Sequence, residues 1–476
     1  KQYRELLSKD ARDLTARLGL SFALLKQRKH QDAFDHAARA IAEDPMSARA
    51  HSLLGAALLG SGNFRPSVEE FRTALSFKED DALAVGGLAM VDFYENRITQ
   101  SLAGLRRAVF LDAGEPDHHF NLGQVAARSE RYAEAADAYE RFLRIAPRTD
   151  IDRRARIRGL IDFLRYLGTQ SKLLRAEGST RNEIVFELVN NRPVVQLRIN
   201  NSKETLRFVV DTGAGMCVLA ANAANRLGIK PVARGGLARA VGGGGRFEII
   251  YGFLQSMTIG EARIVNVPVY IREFYNDQEP IDGYIGLSVL SKFLTSVDYG
   301  KRTMTMLRGD ARPPFDPAAP KRGIEIPIRT TSSGFWSGEI KLDGVEKPIN
   351  FIIDTGASIS VVSEALAARE DLNRHSQPTR LKIYGAAGVS ENVKMILLPF
   401  VTLGTHTRRS VTAAVLDMEP INETAGFEQA GILGGNVLRF FRATFDFERA
   451  VLRLEPLDAV TPDVRTDGAN VVTSQS

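Results

Sequence analysis

The sequence predicts a multidomain α + β protein. An N-terminal α-solenoid of helical hairpins precedes two all-β lobes that form one bilobal unit with pseudo-two-fold symmetry. Three observations lead to this fold class. Residues 11–150 repeat with a fixed period and carry apolar residues at helical spacing. From about residue 178 the apolar residues alternate with period two, and this β-rich part is duplicated on the two sides of a proline-rich connector.

Composition limits the class of protein without identifying its function. The chain has 476 residues, of which 44% are hydrophobic and 25% charged, and its formal net charge is +5. These values are ordinary for a soluble globular protein of about two to four domains. The positive excess is small for this length, and no basic patch is interleaved with aromatic residues, so we expect no nucleic-acid partner.

Single residues and their spacing exclude several kinds of functional site and leave the cellular compartment open. The only cysteine, Cys217, excludes an intrachain disulfide and a cysteine-based zinc site, and we expect it in the core. Histidine and glycine spacings match neither a metal site nor a phosphate-binding loop, so we predict no metal and no cofactor. No apolar run reaches the roughly 18 residues that span a bilayer. Because the first residue is Lys1 and not Met, the compartment stays open, with a removed export signal and a bacterial periplasmic location as one interpretation.

The helical part is built from a repeat of 34 residues. Small residues recur at one phase and mostly large apolar residues at another, and the two sets are Ala33, Ser67, Ser101 and Ala135, and Ala37, Phe71, Leu105 and Tyr139. Small side chains let paired helices approach closely, and large ones fill the groove between units. The pattern resembles the tetratricopeptide (TPR) repeat, clearly so in residues 122–147. The resemblance implies a curved solenoid whose concave face recruits a substrate or an adaptor protein.

Changes of pattern along the chain set the expected domain boundaries. The arginine-rich segment 148–175 is interpreted as a helix that caps the array, and the four prolines of 308–323 predict an extended connector. The expected boundaries are 1–176 for the helical domain, 177–307 for the first lobe, 308–322 for the linker, 323–458 for the second lobe and 459–476 for a disordered tail.

The two lobes repeat the same sequence features in the same order. The stretch FVVDTGAGMCVLAANAANRLG (208–228) matches FIIDTGASISVVSEALAARED (351–371). A glycine-rich hairpin follows each stretch, with Gly242 and Gly385 at the same distance from the respective aspartate, and an apolar-apolar-glycine element closes each lobe. Features that recur in this order at nearly the same spacing indicate an internal duplication.

A duplicated Asp-Thr-Gly turn can build one acid–base pair. If the lobes pack about a pseudo-two-fold axis, Asp211 and Asp354 meet at that axis. Carboxyl groups about 3 Å apart do not both ionise easily, so the pair shares one proton. Such a pair can polarise a water for attack on a carbonyl carbon and can donate the proton to the leaving amine. Which aspartate is the base and which the acid stays open, because the pair titrates as a unit.

The residues that follow each aspartate suit that task. Thr212 and Thr355 can hydrogen-bond across the axis and hold the two turns together. Gly213 and Gly356 allow a tight backbone and present their amides to the carboxyl groups.

Both lobes resemble the retropepsin and pepsin clan of aspartic proteases, and the Asp-Thr-Gly-Ala form is more similar to the retroviral branch. The resemblance implies an aspartic-type endopeptidase in which Asp211 and Asp354 are catalytic. It also implies two flaps that cover a peptide substrate, and the expected flap residues are Val241, Gly242, Gly243, Gly244, Tyr384, Gly385 and Ala386. The short tether between the lobes favours a monomer with both lobes in one chain over a homodimer.

Two expectations about activity follow. Many pepsin-like enzymes carry a hydroxyl residue directly after Asp-Thr-Gly, and Ala214 and Ala357 stand there instead. Without those hydroxyl donors the pKa values of the pair should be higher, which predicts a mildly acidic to near-neutral optimum. The alternative function is a catalytically silent scaffold, whose lobes and repeats bind peptides without cutting them.

Overall fold

A computed structural model describes residues 1–243, 245–276, 280–313, 323–457 and 470–472. By their contacts the residues form two compact units, one of residues 1–150 with 426–428, and the other of residues 151–425 with 429–476. The first unit is helical and the second is dominated by strands, which confirms the predicted fold class.

The first unit consists of a short helix followed by four helical hairpins. Its helices are α1 (Gln2–Lys9), α2 (Leu14–Lys26), α3 (His30–Glu43), α4 (Ala48–Gly60), α5 (Phe64–Phe77), α6 (Ala82–Tyr94), α7 (Ile98–Leu111), α8 (Pro116–Arg128) and α9 (Tyr132–Ile145). From α2 onward, equivalent helices begin 34 residues apart, so the sequence period is also the structural period.

The same period positions the helix caps and the turns. The first helix of each hairpin is capped by a side chain that accepts a backbone amide hydrogen bond, and the caps are Asp13, Ser47, Asp81 and Glu115. The turn inside each hairpin contains a residue with positive φ, and these residues are Arg28, Gly62, Asn96 and Glu130. Capping therefore fixes where each hairpin starts, and one left-handed residue reverses the chain.

The repeated small and large residues form the interior of the array. All members of the two sets predicted from the sequence are buried. Gly55 and Gly123 show why some positions must stay small: a Cβ at either would lie 2.8 Å from the ring of Phe71 or Tyr139, respectively. The repeats therefore pack as the sequence predicted.

The predicted capping helix belongs to the second unit. Helix α10 (Ile151–Gly168) packs against a strand that spans Ala233–Arg239, and the ring of Phe163 stacks on that of Tyr251 with centroids 4.4 Å apart. By its contacts this helix groups with the first lobe, whereas the sequence interpretation placed residues up to 176 in the helical domain.

Glycines allow α10 and this strand to touch through their backbones. A Cβ at Gly159 would overlap the carbonyl oxygen of Arg234, and a Cβ at Gly236 would lie 2.7 Å from Ala155. The strand is irregular between Arg234 and Leu237, where the pairing register shifts.

We expect Gly159→Ala to lower the free energy of unfolding of the second unit by about 1–3 kcal/mol, because the new methyl group meets backbone atoms. In an exposed helix the same substitution would stabilise by up to about 1 kcal/mol, so the sign is diagnostic. Urea unfolding is followed by the fluorescence of Trp336, the only tryptophan, which is buried in this unit. Asp162→Ala, on the exposed side of the same helix, is the control. A raised midpoint for Gly159→Ala would contradict the packing described here.

Most strands and shorter helices of the second unit occur twice in the same order. In the first lobe they are β1 (Arg175–Gly178), β2 (Arg181–Val185), β3 (Glu187–Val189), β4 (Arg192–Ile199), β5 (Leu206–Val210), β6 (Cys217–Ala220), α11 (Ala221–Arg226), β7 (Ala233–Arg239), β8 (Arg246–Ile259), β9 (Ala262–Arg272), β10 (Gly283–Ile285), α12 (Leu287–Leu290), β11 (Leu294–Asp298) and β12 (Thr303–Leu307).

In the second lobe they are β13 (Ile324–Thr330), β14 (Trp336–Leu342), β15 (Ile349–Ile353), β16 (Ser360–Ser363), α13 (Glu364–Arg369), β17 (Ser376–Gly385), β18 (Gly388–Leu403), β19 (His406–Leu416), α14 (Glu419–Ala425), β20 (Gly431–Leu433), α15 (Gly435–Leu438), β21 (Phe441–Asp446), β22 (Val451–Pro456) and β23 (Asn470–Val472). Short 3-10 helices occur at Gly309–Ala311 and Leu372–His375.

Equivalent strands of the two lobes pair with each other. Strand β11 is antiparallel to β21, its counterpart in the second lobe, with Thr295 opposite Phe445 and Asp298 opposite Arg442. Outer strands extend this pairing into a sheet with the order β2-β12-β11-β21-β22-β13. The lobes thus share a continuous sheet and one large apolar core, as the predicted pseudo-two-fold arrangement requires.

Two expectations fall largely outside the described residues. Most of the predicted linker, residues 314–322, and most of the predicted disordered tail are not described. Within the tail, β23 pairs in parallel with β17, placing Val471 opposite Ile383, so this short segment has a regular partner.

Candidate active site

Each Asp-Thr-Gly turn directly follows a buried strand. Asp211 comes after β5 and Asp354 after β15, and each strand pairs in parallel with the short closing strand of its lobe, β10 or β20. The amide of Asp211 donates to the carbonyl of Ile285 (3.0 Å), and that of Asp354 donates to the carbonyl of Leu433 (3.0 Å). The apolar-glycine elements recognised in the sequence therefore fix where the two aspartates leave their strands.

The two turns are joined by a symmetric set of hydrogen bonds. The hydroxyl of Thr212 donates to the carbonyl of Ile353 (2.7 Å) and accepts the amide of Thr355 (3.1 Å). The hydroxyl of Thr355 donates to the carbonyl of Val210 (2.6 Å) and accepts the amide of Thr212 (3.1 Å). Both threonines are buried, so each hydroxyl satisfies a donor and an acceptor that water does not reach.

The structure brings the two carboxyl groups together across the axis. A Cβ built on Gly213 would overlap Cγ of Asp354, and one on Gly356 would lie 2.5 Å from Cγ of Asp211. Each glycine therefore lies against the opposite carboxyl group, where no side chain fits. The amides of Gly213 and Gly356 donate to the aspartate of their own turn (2.8 and 2.7 Å), and the amide of Ala357 also donates to Asp354 (3.1 Å).

Burial and proximity change the protonation of the pair. Both aspartates are completely buried. Loss of hydration raises the pKa of Asp211 well above its usual value, and the charge and hydrogen bond of Asp354 raise it further. The amide of Gly213 and the charge of Arg192 act in the opposite direction. A pair in this setting holds one proton between two carboxyl groups over a range of pH in which an exposed aspartate is ionised.

The predicted flaps are hairpins whose tips meet. Strands β7 and β8 form one hairpin, and β17 and β18 form the other. The amide of Gly243 donates to Oγ of Ser390 (2.6 Å), and a Cβ at Gly385 would overlap the carbonyl oxygen of Val241. Gly242 likewise lies against Gly385. The two tips therefore close on each other, while the expected flap residue Gly244 lies outside the described residues.

The side chains at the flap tips differ in how deeply they are buried. Val241 packs in one apolar cluster with Ile383 and Ala357, next to Asp354. Tyr384, expected to contact substrate, is half-buried instead on the strand face that carries Lys382. Side chains alternate along a strand, so the buried position belongs to Ile383, the neighbour of Tyr384.

Arg272 anchors one flap tip and was not predicted. Its guanidinium donates to the carbonyl of Ala386 (2.7 Å) and lies 3.6 Å from the ring centroid of Phe247. Arg192, which is buried and whose charge acts on Asp211, was also missed, because no sequence motif marks it. Cys217 is a buried core residue as expected, and burial raises the pKa of its thiol to about 11.

Among the described residues, no group of three or more His, Cys, Asp or Glu side chains could hold a metal ion. The same part of the chain contains no helix whose length and apolar character would let it cross a membrane.

Two family models match the chain. The model described as aspartyl protease matches residues 195–289 and 338–437, one segment in each lobe. The model described as tetratricopeptide repeat matches residues 23–84 and 87–148. The resemblances inferred from the sequence are therefore confirmed: the N-terminal part matches the TPR model, and a segment of each lobe matches the aspartyl-protease model.

Solved structures similar to this chain include TPR proteins. TTC0263, a thermophilic TPR protein of Thermus thermophilus, is 18% identical, with 34% of this chain and 87% of that chain covered and a TM-score of 0.29. MamA is 19% identical, with 33% and 84% covered and a TM-score of 0.25. PilF of Pseudomonas aeruginosa is 20% identical, with 33% and 78% covered and a TM-score of 0.27. A comparison with curated proteins finds no match. At this level of similarity none of these structures informs the function of the chain.

Proposed function

We propose that this chain, in which an aspartyl-protease domain follows TPR repeats, is an aspartic-type endopeptidase. The observation that carries the proposal is the meeting of the two Asp-Thr-Gly turns, with Asp211 and Asp354 buried side by side and joined through Thr212 and Thr355. Two carboxyl groups that share a proton provide an acid and a base at one point, which is what hydrolysis of a peptide bond needs.

The proposed reaction uses only water and the two carboxyl groups. The ionised carboxyl takes a proton from a water molecule as the water oxygen attacks the carbonyl carbon of the scissile bond. The protonated carboxyl donates to the carbonyl oxygen, which gives a neutral tetrahedral intermediate. The carboxyl that took the water proton passes it to the amide nitrogen, and the other carboxyl takes a proton from one hydroxyl of the intermediate. The carbon–nitrogen bond breaks, a carboxylic acid and an amine are released, and the pair again holds one proton.

The flap hairpins would hold the substrate in an extended conformation. Val241, Gly242 and Gly243 on one side, and Gly385 and Ala386 on the other, are proposed to pair with its backbone after the tips separate. We further propose that both lobes of one chain form the site, so that a monomer is active, and that the concave face of the TPR array recruits a protein substrate or an adaptor.

A silent peptide-binding scaffold is the second candidate function. It is favoured by the closed flap tips and by the complete burial of both aspartates, which deny solvent access to the dyad. The first experiment therefore incubates the full chain with casein and with a peptide library, with and without pepstatin, and identifies new termini by mass spectrometry. Pepstatin-sensitive cleavage supports the peptidase, and binding without any new termini supports the scaffold.

We expect cleavage to be fastest at mildly acidic to near-neutral pH. Burial and the neighbouring carboxyl group raise the pKa of Asp211, so the pair keeps its shared proton to higher pH than an exposed aspartate would. The measurement is kcat/KM across pH for a peptide found in the library experiment. A profile that peaks below about pH 3.5 would contradict the proposed protonation of the pair.

A further inference from the structure

The two lobes carry different residues at a matched position that precedes each aspartate by 19 residues. Equivalent residues of the lobes lie 143 positions apart, as Thr212 and Thr355 do. The segment from Arg192 to Asp211 matches the segment from Phe335 to Asp354 without a gap. The strand residues nearest the aspartates match closely (FVVD and FIID), whereas at the far end of the segment an arginine stands against a phenylalanine.

Strand register, continued past the last pair, would place these two residues opposite the two aspartates. Strand β4 is antiparallel to β5, and Val194 opposite Val209 is the last pair at this end; continuing that register by two residues would set Arg192 opposite Asp211. In the second lobe Ser337 opposite Ile352 is the last pair of β14 and β15 at this end, and continuing that register by two residues would set Phe335 opposite Asp354. Directly opposite residues of an antiparallel pair have Cβ atoms about 5 Å apart and project from the same face.

The Arg192 side chain is buried there and its backbone is anchored. Arg192 is 1% exposed, and its counterpart Phe335 is 6% exposed. The preceding residue, Asn191, donates to the carbonyl of Ser358 in the second lobe (3.1 Å) and accepts a hydrogen bond from Arg439 (2.8 Å). A buried guanidinium is costly unless negative charge lies nearby, and the dyad supplies that charge.

Two other titratable groups that sense the charge of the aspartates, Cys217 and Tyr299, carry no charge at acidic or neutral pH. Burial raises the pKa of the Cys217 thiol to about 11, and burial together with the charge of Asp354 raises the pKa of Tyr299. The charges that act on Asp211 are those of Asp354, which raises its pKa, and of Arg192, which lowers it. Arg192 is therefore a buried cation whose charge acts on Asp211 in the direction opposite to that of Asp354.

We propose that Arg192 is the counter-charge of the Asp211–Asp354 pair, and that its guanidinium stabilises the single negative charge of the pair when one proton is shared. The residue acts through the aspartates, so it is a positioning residue and not a catalytic one. The proposal rests on the proposed peptidase function and deepens it. One cation serving two carboxyl groups also makes the site electrostatically asymmetric, although the turns themselves are symmetric.

The first test is the pH dependence of kcat/KM for Arg192→Met. Without the guanidinium the pair should hold its protons to higher pH, so the acidic limb of the profile should move up by about one pH unit or more. Arg192→Lys keeps the charge and should restore the limb toward that of the wild type. Phe335→Leu, at the matched position of the other lobe, should leave the limb where it is. A folded Arg192→Met protein with an unmoved acidic limb would overturn the proposal.

The second test does not need activity. In the wild type the raised pKa of Asp211 means that, above about pH 4, the folded chain holds a proton that the unfolded chain has lost. The free energy of unfolding must therefore fall as pH rises from about 4 to the raised pKa. Arg192→Met should extend this fall to higher pH, and in an Asp211→Asn background the extension should shrink. An equal extension in both backgrounds would show that Arg192 does not act on the pair.

These two measurements separate the failure of the inference from that of the function. If the wild type cleaves no peptide but Arg192→Met extends the pH range over which stability falls, the counter-charge is supported and the peptidase is not. If the wild type cleaves and neither measurement responds, the counter-charge alone is wrong. Arg192→Gln is neutral and hydrophilic, and it replaces the methionine variant in both measurements if the latter does not fold.

Discussion

Replacement of either Asp211 or Asp354 by asparagine is expected to reduce kcat/KM by about 10⁴-fold or more. General acid–base catalysis by one group contributes up to about 10⁴-fold, and in this site one substitution removes both functions, since acid and base share one proton. Asparagine keeps an oxygen that can accept the amide of Gly213 or Gly356, so the turns should survive. The measurement is cleavage of a peptide by each variant at the pH optimum of the wild type.

Asp446→Asn is a suitable control for that experiment, because it makes the same chemical change at the end of β21. Its kcat/KM should stay close to that of the wild type. Equal activity of the wild type and of both dyad variants would end the peptidase proposal and leave the binding scaffold. Thermal unfolding of all three variants shows whether any loss of activity reflects misfolding.

A mixture of the two dyad variants tests whether one chain forms a complete site. The structure joins Asp211 and Asp354 of the same chain, and neither variant alone retains both carboxyl groups. If the lobes pair within one chain, mixing Asp211→Asn with Asp354→Asn restores nothing. Recovered activity would mean that lobes of different chains pair, and sedimentation of the mixture would then show a dimer.

The parts of the structure that local patterns determine were predictable. Helix starts repeat every 34 residues because capping side chains and left-handed turn residues repeat with them. The meeting of Asp211 and Asp354 followed from the duplication, since two copies of one turn can touch only near a symmetry axis. In both cases the sequence signal and the structural cause involve the same few residues.

The parts that depend on tertiary partners were not predictable in the same way. The sequence of an amphipathic helix shows which face is apolar but not which element covers that face. Helix α10 was expected to cap the helical array, and in the structure it packs against the strand 233–239. A glycine-rich hairpin indicates a flap, yet strand alternation decides whether Tyr384 or Ile383 turns inward. Arg192 has no motif, and its relation to the dyad becomes visible only from the register of two strands.

The second prediction with a large expected effect concerns the crossed hydrogen bonds of the two threonines. Thr212→Val keeps the shape of the side chain but leaves the carbonyl of Ile353 and the amide of Thr355 without their partner in a buried site. Each unsatisfied group costs about 1–3 kcal/mol, so the free energy of unfolding should fall by about 2–5 kcal/mol. Activity should also fall by about 10²-fold, because a displacement of about 1 Å at reacting groups has an effect of that size.

The serine variant distinguishes the contribution of the hydroxyl group to stability from that of the methyl group. Thr212→Ser keeps both hydrogen bonds and loses one buried methyl group, which costs only about 1 kcal/mol. Thr355→Val breaks a different pair of bonds, yet both pairs hold the same two turns, so the double valine variant should lose less stability than the sum of the single losses. Urea unfolding followed by Trp336 fluorescence measures all four proteins. If Thr212→Ser were as unstable as Thr212→Val, the crossed bonds would not be what holds the two aspartates together.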